Sequence, residues 1–245
     1  MMLGQEVLSN YPKMRGPLPD RHSQVYAAHY KANREGEEVA ANLAQRLESW
    51  MHRRVASVDA AGPVLEVGAG TLNHLPYERE NDAYDVVEPF TSLFEGKKEL
   101  SRVRDVFASQ FDIEGRRYKR IVSVAVLEHL LDLPREIAKS ASLLDEDGVF
   151  QAAIPSEGGF LWWLGWRCTT GLAYFAKHGL DYGVLMRHEH VSTADEIVAV
   201  VRYFFEDVEI EKWPHNSKHL SFYQYIEARN VRKDRVLEQL ERNKN

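Results

Sequence analysis

Short apolar runs alternate with stretches of mixed polarity through the middle of this chain. Val64-Leu65-Glu66-Val67 is the first run, closed by Gly68, and Tyr84-Asp85-Val86-Val87-Glu88 is the second, closed by Pro89. A third, weaker run covers Val103 to Phe107. Ile121 to Val126 is the clearest, and Val149 to Ile154 is the fifth, closed by Pro155. Between the fourth and fifth, Pro134 to Leu144 carries apolar residues at helical spacing, with Gly148 just beyond. Runs apolar at successive positions suit strands buried on both faces, and strands alternating with helices predict an α/β fold with a parallel sheet.

The flanking regions read differently. Before Val64, Pro12, Pro17 and Pro19 break the start, and Ser23 to Trp50 is rich in Ala, Glu, Lys and Arg. Val39, Leu43 and Leu47 recur at i, i+4 and i+8, which predicts one buried helix face. After the sheet region, a helix is expected near Ala194 to Phe205. Runs at Val208 to Trp213 and His219 to Ile226 then follow across a loop with Pro214 and Asn216, as an antiparallel edge hairpin would. The organisation predicted is a helical segment over 1–55 that can act as a lid, a main domain over 56–230 with an aromatic-rich insertion at 156–191, and a polar tail over 231–245. That tail is expected as a solvated helix or a frayed end.

Composition narrows the function without naming it. At 245 residues one α/β domain needs no metal or disulfide staple. A net charge of -6 argues against nonspecific nucleic-acid binding and favours a small-molecule partner. The single cysteine, Cys168, can form no internal disulfide and builds no zinc site alone, which suits a reducing cytoplasm. The N-terminal residues show no secretory signal pattern. The apolar stretch from Phe160 to Phe175 contains Arg167 and is too short to span a bilayer. A monomer or homodimer is expected.

The segment Val64 to Asn73 carries the chemistry. A buried strand enters a glycine turn, with a helix expected next. Gly68 and Gly70 let the backbone turn sharply and approach a ligand, and a helix start there would aim N–H groups at it. Glu88 closes the next strand, where doubly wound folds meet a ribose, whose two hydroxyls one carboxylate can accept. A dinucleotide fingerprint needs a third glycine where this chain has Asn73, so a nicotinamide oxidoreductase is disfavoured. Glu66-Val67-Gly68-Ala69-Gly70 instead resembles the first motif of the class I S-adenosylmethionine-dependent methyltransferases. Tyr84 to Pro89 resembles their second-strand motif, and Val122 to His129, ending Val-Leu-Glu-His, their fourth-strand motif. Leu143 to Gly148 resembles the turn before their fifth strand, with Asp147 in place of a glycine.

The resemblance, which covers about Val64 to Ser156 and the edge hairpin, implies a Rossmann-like sheet with helices on both faces and S-adenosylmethionine as cofactor. It implies that Glu66, Gly68 and Gly70 line the methionine end, that Glu88 holds the ribose hydroxyls, that Ser109 and Gln110 meet adenine, and that Ala125 lies against the cofactor. Asp112 is a further acidic residue after the third strand.

Acceptor chemistry is less marked. His129 follows the fourth strand at the carboxyl edge of the sheet, where α/β sites lie, and is a candidate general base. His188 and His190, in Arg187-His188-Glu189-His190, are equal candidates, expected on one face of an extended segment. Two histidines without a third ligand argue against a metal. In the resembled family the segment after the fifth strand covers the active site, so Trp162, Arg167 and Arg187 are candidate acceptor contacts. A dimer contact or a membrane-surface contact are the other uses of such an aromatic cluster. Tyr30 and Arg34 are candidates from the N-terminal segment. The similarity of Gly-Ala-Gly-Thr-Leu-Asn-His-Leu and Arg-His-Glu-His-Val to methyltransferase-like proteins of surface-polysaccharide pathways points to a saccharide or activated-sugar acceptor. A lipid or quinone-like substrate and a non-catalytic methyltransferase-like subunit are the alternatives.

Overall fold

Seven strands form one sheet in the order β3-β2-β1-β4-β5-β7-β6. They are β1 (Val64–Val67), β2 (Tyr84–Val87), β3 (Asp105–Phe107), β4 (Tyr118–Val124), β5 (Leu144–Pro155), β6 (Phe205–Pro214) and β7 (Ser221–Val231). The first five are parallel, while β7 runs antiparallel to β5 and β6 antiparallel to β7. The helices are α1 (Asp20–Ala32), α2 (Ala41–Ala56), α3 (Leu133–Leu143), α4 (Phe160–Trp166), α5 (Leu172–His178), α6 (Tyr182–Glu189), α7 (Ala194–Phe204) and α8 (Lys233–Arg242). This computed structural model describes residues 6–32, 41–58 and 61–242, with 27–32 and 41–46 described by backbone alone.

Side-chain alternation explains why helices cover both faces. Along β1, Leu65 and Val67 belong to one core, with Ile121, Phe150 and Ile226 from neighbouring strands. Ile137 and Ala141 of α3, Ile197, Val201 and Phe204 of α7, and Val236 of α8 complete it. Val64 belongs to the opposite core, with Val86, Val122, Tyr223 and Tyr225, closed by Met51 and Val55 of α2. The α7 start is fixed by a capping box, in which the Thr193 hydroxyl accepts from the Glu196 N–H and the Glu196 carboxylate accepts from the Thr193 N–H.

Two expectations are corrected. No α-helix follows Gly70; only a short 3-10 turn, Leu75–Tyr77, lies between β1 and β2. Leu72 takes a positive φ of 62°, which stops helical propagation, and Pro76 in the turn cannot donate to a helix ladder. Buried Leu72 and Leu75 anchor this loop to the sheet instead. The Arg187-His188-Glu189-His190 segment is not extended: it ends α6, with His190 as the C-cap. The residues after Val231 take the helical form of the two expected for the tail: α8 is largely solvated, with Val236 its one buried side chain among the described residues, packed against the first core.

Candidate active site

A cleft of about 630 Å³ opens at the carboxyl ends of β1, β2 and β4. Its floor is the turn after β1. Gly68 has φ +78°, and a Cβ there would stand 2.4 Å from Val126 Cγ2, so only glycine fits beneath that side chain. Gly70 has φ +52° and nothing within 4 Å of where a Cβ would point. The first glycine is needed for packing, the second faces open space.

Glu88 ties this turn to the next strand. Its Oε2 accepts from the Gly70 N–H at 2.9 Å and its Oε1 from the Phe90 N–H at 3.0 Å, and the residue is 6% exposed. Each carboxylate oxygen retains a second lone pair, so the group is fixed in place with acceptor capacity left. Glu66, from the end of β1, lies under the same cleft and accepts from the Tyr84 hydroxyl at 2.8 Å. Burial raises its pKa to about 7, against the opposing pull of His74 and Tyr84.

The remaining predicted cofactor residues also line the cleft, in different capacities. Ala125 holds φ +55° at the end of β4, with its N–H donated to the Ala153 oxygen at 2.8 Å. The Ser109 hydroxyl caps the 3-10 turn Gln110–Asp112, and the Asp112 carboxylate accepts from the Ser109 N–H, so Asp112 is used in that cap. The Gln110 amide is buried on Glu136 and Ser140, which leaves it little freedom to read a ligand.

Beside the cleft, β4 and β5 bring a second set of side chains together. His129 lines the cleft and hydrogen-bonds the Glu189 main-chain oxygen through Nδ1 at 3.0 Å. Its ring meets that of His190 edge-on, with centroids 4.8 Å apart. His190 Nδ1 lies 2.8 Å from Glu157 Oε2, which also accepts from the Trp162 indole N–H at 2.6 Å. Burial opposes charge on both groups, but their hydrogen bond prevails: the His190 pKa is raised and that of Glu157 lowered. Glu128 is buried next to both histidines, with Oε1 3.8 Å from His129 Nε2. Tyr26 of α1 donates to Glu189 Oε1 at 2.7 Å and closes this side of the cleft.

The other candidates fall elsewhere. His188 bonds the Gly16 oxygen and packs edge-on to Tyr26, apart from His190. Arg167 is exposed over the Trp163 ring, and neither it nor the exposed Arg187 lines the cleft. The backbone of Tyr30 belongs to α1, but its side chain and all of Arg34 lie outside the described residues. Sequence reasoning missed Glu128, Glu157 and Glu189 as members of the histidine cluster. For Glu128 and Glu189 the signal was adjacency to His129 and His190; for Glu157 it was position, two residues past the end of β5.

A buried polar network underlies the opposite end of β4. Arg120 holds both oxygens of Glu78, at 2.7 and 2.8 Å, and donates through Nε to Gln151. Glu78 also pairs with His74 at 2.7 Å. Burial works against its charge, but His74 and Arg120 hold its pKa down to about 2. His74 in turn stacks on His52, whose pKa burial and His74 push down to about 4.

The Gly68–Gly70 turn and Glu88 converge on one cleft, and comparison with known proteins gives the family. Residues 39–231 match the family model described as a methyltransferase domain. The chain belongs to that family. It is an S-adenosylmethionine-dependent methyltransferase of class I, with the Rossmann-like sheet of its fold class. Among solved structures it is similar to a methyltransferase from Thermotoga maritima described as a possible histamine N-methyltransferase. The TM-score is 0.55 at 15% identity, over 76% of this chain and 91% of that one. It is also similar to the plantazolicin methyltransferase BpumL in complex with SAH, with a TM-score of 0.57 at 9% identity, over 94% of this chain and all of that one. An O-methyltransferase family protein from Burkholderia thailandensis aligns with a TM-score of 0.50 at 17% identity, over 76% of this chain and 57% of that one. At such identities the likeness carries the fold alone. No protein in the curated set matches the sequence significantly. No helix among the described residues is long and apolar enough to cross a membrane.

Proposed function

We propose that this methyltransferase modifies a small polar acceptor, held between the Gly68–Gly70 turn and the cluster of Glu128, His129, Glu157 and His190. The observation that carries this reading is the pair of imidazoles beside the cleft, each anchored through Nδ1 and therefore each with Nε2 left for the acceptor. The cleft suits the cofactor: Gly70 leaves room, and Glu88 offers fixed acceptors for ribose hydroxyls. Bound there, S-adenosylmethionine supplies a methyl group on a sulfonium for in-line displacement. The chain's own part is to hold the acceptor atom in line and to manage the proton that atom loses. His129 and His190 are the groups positioned for that proton, with Glu157 orienting His190.

A saccharide or activated-sugar hydroxyl is the acceptor class favoured. The cluster offers carboxylates and imidazoles to a polyol, whereas Phe160, Trp163, Leu172 and Phe175 of the insertion are exposed and none lines the cleft. A reducing cytoplasm is the compartment that fits the single free cysteine, Cys168. The test is methyl transfer from labelled S-adenosylmethionine to a panel of nucleotide sugars and glycosides beside quinols and phospholipids. Labelling of sugar hydroxyls supports the reading, and labelling confined to quinols or lipids overturns it. Absence of S-adenosylhomocysteine binding by calorimetry would remove the cofactor assignment itself.

A further inference from the structure

We infer that Glu128, His129 and His190 form a site for one divalent first-row transition cation, which would seat the acceptor oxygen in the active site proposed above and, by occupying both Nε2 atoms, would replace the imidazoles as the means of lowering that oxygen's proton affinity. Donor atoms of these three residues lie within 4.8 Å of one another. The case rests on what surrounds them. A metal-binding histidine characteristically donates its second ring N–H to a carboxylate or a main-chain oxygen, which fixes the tautomer and aims the other nitrogen at the ion. Both histidines do this: His190 Nδ1 meets the Glu157 carboxylate at 2.8 Å, and His129 Nδ1 meets the Glu189 main-chain oxygen at 3.0 Å. Nε2 is the nitrogen left on each ring.

Glu128 supplies the independent observation. It is 1% exposed, and its Oε2 has no hydrogen-bond partner among the described residues. A buried carboxylate oxygen without a partner is costly, and a cation is what such an atom needs. Glu128 is held in place by its own main chain, whose oxygen accepts from the N–H groups of Val191 and Ser192 at 2.9 and 3.2 Å. The same two bonds fix the chain next to His190, so the site is braced across a sequence gap of some sixty residues. Two ligands ~2.1 Å from one ion stand at most ~4.2 Å apart, so side-chain rotation of about half an ångström closes the set.

The donor set selects the ion. Two imidazoles and one carboxylate suit zinc, manganese or ferrous iron rather than magnesium or calcium, which favour all-oxygen sites. Three protein ligands leave positions open, the arrangement of a site that takes a substrate oxygen rather than a closed structural one. Three carboxylates, Glu128, Glu157 and Glu189, stand around the two rings and supply more than the two negative charges that a divalent cation needs.

The test uses untagged full-length protein, stripped with chelator and dialysed against zinc, manganese or magnesium chloride. Metal per chain is counted by elemental analysis and affinity is measured by calorimetry. Cys168→Ser serves as the control for capture by the exposed thiol. One equivalent of zinc or manganese is expected, with magnesium far weaker. His129→Ala, His190→Ala and Glu128→Gln should each weaken binding by at least ~100-fold, and Glu157→Gln by ~10–100-fold through loss of ring orientation. Wild-type protein that takes up no cation at millimolar concentration overturns the inference, as does binding that the four substitutions leave unchanged. S-adenosylhomocysteine affinity, measured on every variant, reports folding and the cofactor cleft separately. Metal bound without that affinity would sink the methyltransferase site while leaving the cation site standing, and the reverse result would do the opposite.

Discussion

Gly68 and Gly70 are two residues apart, share positive φ, and are predicted to fail in different ways when given a side chain. At Gly68 an alanine Cβ meets Val126 Cγ2 at 2.4 Å and Cγ1 at 2.7 Å, in a backbone conformation with φ +78°. The left-handed conformation costs a non-glycine residue about 1–2 kcal/mol. Forcing the Val126 methyl groups aside adds about 1–3 kcal/mol of overpacking. Gly68→Ala should therefore lose roughly 2–5 kcal/mol, a fall in Tm of roughly 4–20 °C at this chain length. Gly70→Ala meets no atom within 4 Å and carries only the conformational cost, so its stability loss should be about 1–2 kcal/mol. Its deficit should appear in cofactor affinity, because its Cβ points into the open cleft. Denaturant melts and S-adenosylhomocysteine calorimetry on both variants separate the two. The decisive measurement is the cycle with Val126→Ala: removing the two methyl groups should restore about 1–3 kcal/mol to Gly68→Ala and nothing to Gly70→Ala. Equal stability of the two single variants, or no coupling between Gly68 and Val126, would refute the packing argument.

Other consequences follow from the same geometry. Glu88→Ala removes the acceptor of the Gly70 and Phe90 N–H groups, and should weaken S-adenosylhomocysteine binding by about 1–3 kcal/mol in calorimetry; unchanged affinity would detach Glu88 from the site. Glu66, with its carboxyl raised from 4.5 to about 7, binds its proton more tightly folded than unfolded. Its contribution is thus fully present below pH ~4.5 and is lost as pH climbs through about 7, on the order of 3 kcal/mol in all. Urea melts of Glu66→Gln should show a flatter pH dependence across that window and greater stability at pH 8; curves parallel to wild type would contradict this. Glu78 has the opposite sign: held down to about 2, its contribution is present above pH ~4.5 and is lost as pH falls through about 2. Arg120→Ala strands the buried Glu78 carboxylate and should cost about 3–5 kcal/mol at pH 7, partly recovered in the double variant with Glu78→Gln; no recovery would assign the loss to packing.

Some of this was legible along the chain because it depends on local periodicity. The five apolar runs, their order, and the edge hairpin follow from strands needing contiguous apolar positions when both sheet faces are covered. The Gly68–Gly70 turn and Glu88 were legible because a strand-end glycine pair and a strand-end acid sit at fixed places in a doubly wound sheet. The missing helix after Gly70 was not, because burial of Leu72 and Leu75 against the sheet outweighs what a local pattern favours. Nor was the clustering of Glu128, His129, Glu157 and His190. Sequence alone determined the parallel sheet, its glycine turn and its methyltransferase character, each carried by neighbours in the chain. Only the tertiary structure decided which histidine faces the cleft and which carboxylates hold it: His188 and His190 are two residues apart, yet the end of α6 turns one toward Gly16 and the other onto Glu157. Contacts across dozens of residues are set by how elements pack, and no periodicity records them.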